Sequence, residues 1–135
     1  MAAAFALYPS LKDASVIVTG GASGIGAEIV RAFAEQGSRV GFVDFDVDGG
    51  TALASELGSA GTQVRFEPCD LRDIDALRAA FTTLAGAQGP ARVLVNNAAR
   101  DDRHAWQDVT PEFYDERVAT NLRHMFFAIQ ASHRR

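Results

Sequence analysis

A glycine-rich segment between an apolar run and a helical pattern constrains the fold of this chain more than any other feature. The β-branched run at residues 16–18 predicts a strand, and a turn and a helix pattern follow it. Glycine is needed in such a turn because a Cβ would keep the backbone from approaching a pyrophosphate, which the N–H groups of the helix start would hold. The alternative is an ordinary turn without a phosphate site. The strand before the turn and the helix after it count against this alternative, because they are the context that a phosphate-binding turn requires. The segment therefore predicts a phosphate-binding turn at Gly20, Ser23, Gly24, Ile25 and Gly26.

Composition narrows the class of protein. With 135 residues, 47% of them hydrophobic and 22% charged, the chain is long enough for one domain with its own core. The net charge of −4 argues against a nucleic acid or an anionic membrane as partner. Cys69 is the one cysteine, so we expect a packed thiol and a reducing, cytoplasmic setting. The sequence has no metal-ligand cluster, no membrane-spanning run, and an apolar start too short for a signal peptide.

Apolar periodicity divides the chain into alternating strands and helices. The pattern predicts strands at residues 15–19, 39–44, 63–67 and 92–96, and helices at 25–36, at about 48–57, after Asp73, and from Thr110 onward. This order predicts an α/β fold with a doubly wound, Rossmann-type parallel sheet, truncated after about four strands. Residues 1–10 are expected to form an N-terminal arm, and residues 11–135 the dinucleotide-binding domain. The last helix has an apolar face made of Val118, Leu122, Met125, Phe126 and Ile129.

Polar residues follow the predicted strands at the sheet edge where ligands bind in this class of fold. Asp44 ends the second strand and can accept hydrogen bonds from both hydroxyls of an adenosine ribose, whereas its charge would repel a 2′-phosphate. Asp44 therefore favours NAD over NADP, the alternative being a solvated aspartate at a strand end. Asp46 and Asp48 are interpreted as loop and helix-cap residues.

Four motifs in order resemble those of the short-chain dehydrogenase/reductase family. They are the segment from Thr19 to Gly26, Cys69-Asp70-Leu71, Asn96-Asn97-Ala98-Ala99 and Asn121. The resemblance implies a nicotinamide cofactor, with Asp70 on the adenine amino group and Leu71 adding a backbone contact. It also implies that Asn96 and Ala98 line the cofactor, that the stretch including Asn97 steadies the central strands, and that Asn121 is the active-site asparagine holding a water in a proton relay. Ala99 stands where the family usually has glycine, and we expect it to be tolerated.

Further segments resemble the NAD-dependent aldose 1-dehydrogenases of that family, those acting on D-xylose in particular. These are residues 8–12, 101–104 and 121–125. The resemblance implies an aldose or polyol as small-molecule substrate, with Asp101, Arg103 and His104 as candidate substrate contacts. A solvated charged loop is the alternative. We expect Trp106 to have a packing role rather than to shield the cleft or stack on a sugar ring.

The chemistry of the family also needs a serine and a Tyr-x-x-x-Lys pair that follow the active-site asparagine. No tyrosine or lysine follows Asn121, and we expect neither Tyr8 nor Tyr114 to serve as the base. We therefore expect the chain to be the cofactor-binding half of a dehydrogenase, inactive alone, with residues 131–135 resembling a frameshift or premature stop rather than a natural cation-rich helix end. The unpaired edge of the fourth strand and the exposed last helix predict a homo-oligomer or poor stability. The alternatives are a non-catalytic NAD-binding module and an interaction protein.

Overall fold

The computed structural model describes residues 6–133, whose four strands form a single parallel sheet. The strands are β1 (Ser15–Thr19), β2 (Arg39–Asp44), β3 (Gln63–Pro68) and β4 (Val93–Asn96), in the order β3-β2-β1-β4. Val16 of β1 lies opposite Val40 on one side and Val93 on the other. The chain therefore builds the sheet outward from β1 in one direction and then crosses back to add β4, which is the doubly wound arrangement that the sequence predicts.

Five α-helices accompany these strands in the described part of the chain. They are α1 (Gly24–Glu35), α2 (Val47–Ser59), α3 (Ile74–Gln88), α4 (Pro111–Val118) and α5 (His124–Ser132). Side chains of Asp46, Asp73 and Thr110 accept backbone N–H groups at the starts of α2, α3 and α4. Each cap satisfies N–H groups that the first helical turn leaves without a partner, so the sequence fixes where these helices begin.

Each face of the sheet is covered by its own apolar layer. One layer packs strand residues such as Val18 and Phe42 against Val30 of α1 and Leu53 of α2. The other layer packs Ile17 and Val43 against helices α3 and α5. Alternate residues of a strand point to opposite faces, so the nearly continuous apolar runs of β1 and β2 are what a sheet buried on both faces requires.

The last helical region differs from the single helix that the sequence predicts. A π-helical turn, Ala119–Arg123, separates α4 from α5. His124 and Ala128 face the core, whereas Leu122, Phe126 and Ile129 are each more than half exposed. The π turn adds a residue to one turn of helix and so rotates the side chains that follow it. Most of the apolar face predicted from the sequence therefore lies on the surface.

The residues before β1 lie along the amino edge of the sheet. The Tyr8 amide N donates to Gln36 Oε1 at 2.8 Å, and Gln36 Nε2 donates to the Ala6 carbonyl at 3.0 Å. The first half of the predicted arm, residues 1–5, lies outside the described residues, as do residues 134–135 of the chain end. Among the helices of residues 6–133, none combines the length and the apolar character needed to cross a bilayer.

Candidate functional site

A cavity of about 960 Å³ opens beyond the carboxyl ends of the strands. It lies where β1 and β4 are neighbours, the point at which the strand order reverses and where ligands bind in sheets of this kind. Its size falls within the range of ordinary small-molecule sites. The lining consists of Gly20, Ser23, Ile25, Gly26, Asp44, Phe45, Asp46, Val47, Asp48, Cys69, Asp70, Leu71, Arg72, Asn97, Ala98, Ala99, Arg100, Glu116 and Thr120.

The glycine turn brings its backbone against the neighbouring strand end. Gly20 has φ +68°, and a Cβ there would meet the Ala98 Cα at 2.7 Å. A Cβ on Gly26 would collide with the Gly20 carbonyl oxygen. Ser23 occupies the cap position of α1, but its side chain caps no N–H group and the first turn of α1 has no acidic residue. The N–H groups of this helix start are therefore not covered by a side chain, which suits an anion such as a phosphate.

Asn97 and Thr19 fasten the end of β4 to the glycine turn. Asn97 Nδ2 donates to the carbonyl oxygens of Thr19 at 3.1 Å and Gly20 at 2.9 Å. Thr19 Oγ1 accepts the backbone N–H groups of Asn97 and Ala98, each at 3.1 Å. These four hydrogen bonds fix the segment after β4 against the glycine turn, and residues of both segments line the cavity.

Asp44 is a buried carboxylate at the cavity wall. Its Oδ2 accepts the Ala22 N–H and its Oδ1 accepts the Asp46 N–H, both at 3.0 Å. Only 9% of the residue is exposed. Since an ionised carboxylate has about four acceptor positions, two remain for further donors. Phe45 follows directly, and it is 79% exposed although it lines the cavity, so an aromatic face stands open beside this carboxylate.

The segment after β3 contains an ion pair between a carboxylate and a guanidinium. Arg72 Nε lies 2.9 Å from Asp70 Oδ1 and Arg72 Nη2 lies 2.6 Å from Asp70 Oδ2. The Arg72 guanidinium lowers the pKa of the Asp70 carboxyl from its ordinary value. Burial, aided by the charges of Asp70 and Asp73, raises the pKa of the neighbouring Cys69 thiol to about 11. Cys69 is therefore a packed thiol, as the sequence predicts, and not a thiolate nucleophile.

The loop after β4 contacts α4 and the π turn through ion pairs and hydrogen bonds. Asp102 contacts Arg100 at 2.9 Å and Arg117 at 2.5 Å, and Arg117 also reaches Glu116 at 2.7 Å. Asn121, within the π turn, accepts the Arg100 N–H at 2.8 Å and donates Nδ2 to the Arg100 carbonyl at 3.0 Å. The Asn121 side chain is thus committed to the backbone of the β4 loop.

Several residues singled out from the sequence lie outside the cavity lining. They are Gly24, Asn96, Asn121, Asp101, Arg103 and His104. A Cβ on Gly24 would meet nothing within 4 Å, and Asn96 Oδ1 is buried without a hydrogen-bond partner in the described part of the chain. The His104 ring stacks on Phe113 with centroids 4.0 Å apart. Trp106 is 81% exposed, so the expected packing role is wrong.

Ala99 lines the cavity with a backbone conformation that needs no glycine. Among the described residues, Asp13 is the only one other than glycine with a positive φ. Alanine at position 99 therefore adds a methyl group without strain in the backbone.

Tyr8 and Lys12 have the spacing of a Tyr-x-x-x-Lys pair, although they precede the glycine turn in the sequence. They precede β1 and lie at the amino edge of the sheet, whereas the cavity is at the carboxyl edge. Neither residue lines the cavity. The spacing at Tyr8 therefore supplies no base to this site.

The cavity also includes residues that the sequence reasoning did not predict as site residues. These are Phe45, Val47, Cys69, Arg72, Arg100, Glu116 and Thr120, together with Asp46 and Asp48. The positions directly after Asp44 and Asp70 were findable, because residues that follow a strand end share its place at the ligand edge. Glu116 and Thr120 gave no such signal, since they come from α4 and the π turn, which reach the cavity through tertiary packing.

Known proteins match this chain over nearly all of its length. Residues 14–135 match the family model described as short chain dehydrogenase. The probable galactose dehydrogenase GalD of Rhizobium meliloti is 50% identical over 125 residues, covering 92% of this chain and 49% of that protein. The D-xylose 1-dehydrogenase of Caulobacter vibrioides is 45% identical over 126 residues, covering 93% and 49%.

A solved structure, an actinorhodin polyketide ketoreductase variant with NADPH, superposes with a TM-score of 0.84 at 32% identity, covering 88% of this chain and 46% of that one. The chain therefore spans about half the length of the curated relatives that it matches. The matched family model spans both the glycine turn and the Asn96–Asn97 stretch that frame the cavity. The chain belongs to the short-chain dehydrogenase family.

Proposed function

We propose that this chain forms the NAD-binding part of an oxidoreductase that acts on a hydroxyl of a sugar or polyol. The observation that carries the cofactor proposal is Asp44, whose carboxylate is oriented at the cavity wall by two backbone N–H groups. A nicotinamide cofactor supplies the hydride acceptor when it is bound. The sugar substrate is supported by the printed names of the relatives, a probable galactose dehydrogenase and a D-xylose 1-dehydrogenase.

The residues of the cavity fit such a cofactor. The N–H groups at the start of α1 would hold the pyrophosphate, and the free acceptor positions of Asp44 would receive the ribose hydroxyls. Asp46 and Asp48 stand on the same wall, so a 2′-phosphate would meet three carboxylates there. This charge pattern supports NAD rather than NADP. Asp70 would accept the adenine amino group.

The proposed role of Asn121 follows from its hydrogen bonds. Its side-chain amide uses one acceptor position and one N–H group on the Arg100 backbone, so one of each remains for a water. We therefore propose that Asn121 holds the water of the proton relay.

The proposed chemistry cannot be completed by the residues of this chain. An unperturbed phenol has a pKa of about 10 and is a poor base at neutral pH, so the reaction needs a tyrosine with a cationic neighbour at the site. Tyr8 with Lys12 lies at the wrong sheet edge, and Tyr114 has no lysine four residues later. We propose that the isolated chain binds NAD without dehydrogenase activity. NADH formation by the purified chain with D-xylose or D-galactose would contradict this.

Calorimetric titration with NAD and with NADP tests the cofactor proposal. The chain should bind NAD more tightly than NADP. Asp44→Asn should weaken NAD binding about tenfold, because hydrogen bonds from ribose to a charged acceptor are lost. Asp75→Asn is the matched control, since Asp75 is an exposed carboxylate in the first turn of α3 outside the cavity. No heat with either dinucleotide would favour an interaction protein instead, and tighter binding of NADP would refute the role of Asp44.

A further inference from the structure

Arg72 holds the Asp70 carboxylate through both its backbone and its side chain. The Arg72 backbone N–H donates to Asp70 Oδ1 at 3.0 Å, Nε donates to the same oxygen at 2.9 Å, and Nη2 donates to Oδ2 at 2.6 Å. A planar guanidinium that grips both oxygens fixes the rotation of the carboxylate as well as its position. The pair stands in the lining of the cavity.

Arg72 is in turn held by residues of α4 and of the π turn that follows it. Its Nη1 lies 3.5 Å from Oε1 of Glu116 on α4, and Thr120 Oγ1 donates to that same oxygen at 2.9 Å. The Arg72 carbonyl accepts Nη2 of Arg123, in the π turn, at 2.7 Å. The position of Arg72 is therefore set by residues more than forty positions later in the chain, and it does not depend on the β3 loop alone.

We propose that Arg72 positions Asp70 as the hydrogen-bond acceptor for the adenine amino group, so that adenine recognition depends on the pair. This inference rests on the proposed function, because it requires a dinucleotide in the cavity. The Asp70 side chain is 45% exposed, and without a partner it would sample several orientations in water. Arg72 removes this freedom before the ligand arrives, which lowers the entropic cost of binding.

The Asp70–Arg72 pair also leaves room for the ligand. Asp70 Oδ1 accepts the backbone N–H and Nε of Arg72, whereas Oδ2 accepts Nη2 at 2.6 Å and shares the single Nε proton at a longer 3.1 Å. Since each carboxylate oxygen has two acceptor positions, Oδ2 retains one for an amino group. The lowered pKa of Asp70 keeps the carboxylate ionised, so it can only accept and never donate.

The test compares NAD with nicotinamide hypoxanthine dinucleotide, in which a carbonyl replaces the adenine amino group. Both are titrated calorimetrically into the chain. Arg72→Ala should weaken NAD binding about tenfold and change binding of the hypoxanthine dinucleotide less than about twofold. Arg72→Lys keeps the positive charge but loses the two-point hydrogen bonding of the guanidinium, so its affinity for NAD should lie between those of the unaltered chain and Arg72→Ala. Arg31→Ala is the matched control, because Arg31 makes a two-point pair with Glu56 outside the cavity and neither titration should change.

The result expected from a double variant separates positioning from a general loss of structure. In an Asp70→Asn background, Arg72→Ala should weaken NAD binding no further, whereas independent effects would multiply. Thermal melts confirm that each variant is folded. Equal losses of affinity for the two dinucleotides in Arg72→Ala, or unchanged NAD binding in that variant, would overturn the role of Arg72. The proposed function would not be affected by either result. If the unaltered chain binds neither dinucleotide, the proposed function fails and this inference fails with it.

Discussion

At the scale of single residues, the glycine turn is constrained by the space around it. The Cβ of an alanine at position 26 would collide with the Gly20 carbonyl and lie 2.6 Å from Asn97 Nδ2, the atom that fastens β4 to the turn. We expect Gly26→Ala to lower the free energy of unfolding by about 1–3 kcal/mol, as overpacking does in tight interiors. Urea denaturation of the purified chain measures this difference.

Gly86 provides the control for that substitution. It lies inside α3, and a Cβ there would meet nothing within 4 Å. Gly86→Ala should raise the free energy of unfolding by roughly 0.5–1 kcal/mol, because alanine loses less backbone entropy in a helix. If Gly26→Ala proved as stable as Gly86→Ala, the close approach of the turn to the end of β4 would be wrong.

At the scale of secondary structure, the π turn and α5 place a neutral histidine in the core. His124 is fully buried, its Nδ1 lies 2.5 Å from the Thr120 carbonyl, and its Nε2 has no hydrogen-bond partner among the described residues. Burial lowers the pKa of His124 from its ordinary value. A carbonyl partner makes Nδ1 the protonated nitrogen, so a second proton on Nε2 would place a charged N–H group in apolar surroundings.

This burial makes stability depend on pH. Above a pH of about 6.5 the histidine is neutral in both the folded and the unfolded chain, so it adds no dependence. Below that pH the unfolded chain binds the proton more readily, and stability falls as the pH approaches the lowered pKa of the folded chain. His124→Asn should therefore be less stable than the unaltered chain at pH 7.5 but lose less stability between pH 7.5 and about 5.5.

Urea denaturation at both pH values measures the difference. The exposed His133 follows the same helix, and His133→Asn should keep the pH dependence of the unaltered chain. An identical loss of stability in His124→Asn and the unaltered chain would show that His124 does not titrate as its burial requires.

The elements differ in how well sequence alone predicts them, and the reasons are physical. The strands β1 and β2 begin and end where predicted, because short apolar runs buried on both faces are bounded by polar residues or glycine. The caps at Asp73 and Thr110 likewise fix helix starts. The π turn carries no comparable signal, since a 3.6-residue period read along the sequence assumes an uninterrupted helix.

The same distinction applies to the site. Gly20, Asp44 and Asp70 line the cavity because local motifs place them at strand ends. Glu116 reaches the cavity through α4, and its partner Arg72 is separated from it by 44 positions. Contacts of this kind depend on how the loops and helices pack after the sheet forms, so they are found in the structure and not in any local pattern.

At the scale of the whole molecule, helices cover both faces of the sheet, whereas its two edge strands, β3 and β4, each pair with one strand only in the described part of the chain, and one helical surface is exposed. Within residues 6–133, β4 lies at an edge of the sheet with β1 as its single strand neighbour. Leu122, Phe126 and Ile129 stand exposed on the nearby helical surface. Unpaired strand edges and exposed apolar patches both favour contact with another chain, which supports the proposal of a homo-oligomer.

Sedimentation velocity over a range of concentrations tests self-association of the chain through this surface. We expect species larger than a monomer at high concentration, since burying these side chains in a second copy removes apolar area from water. The double substitution Phe126→Glu and Ile129→Glu should return the chain to a monomer, because like charges would be buried in the contact. Tyr114→Glu changes an exposed aromatic residue on α4, eight positions before Leu122, and should leave the association unchanged. If the unaltered chain stays monomeric at every concentration, this surface makes no such contact. The same conclusion follows if the unaltered chain and both variants show the same sedimentation behaviour.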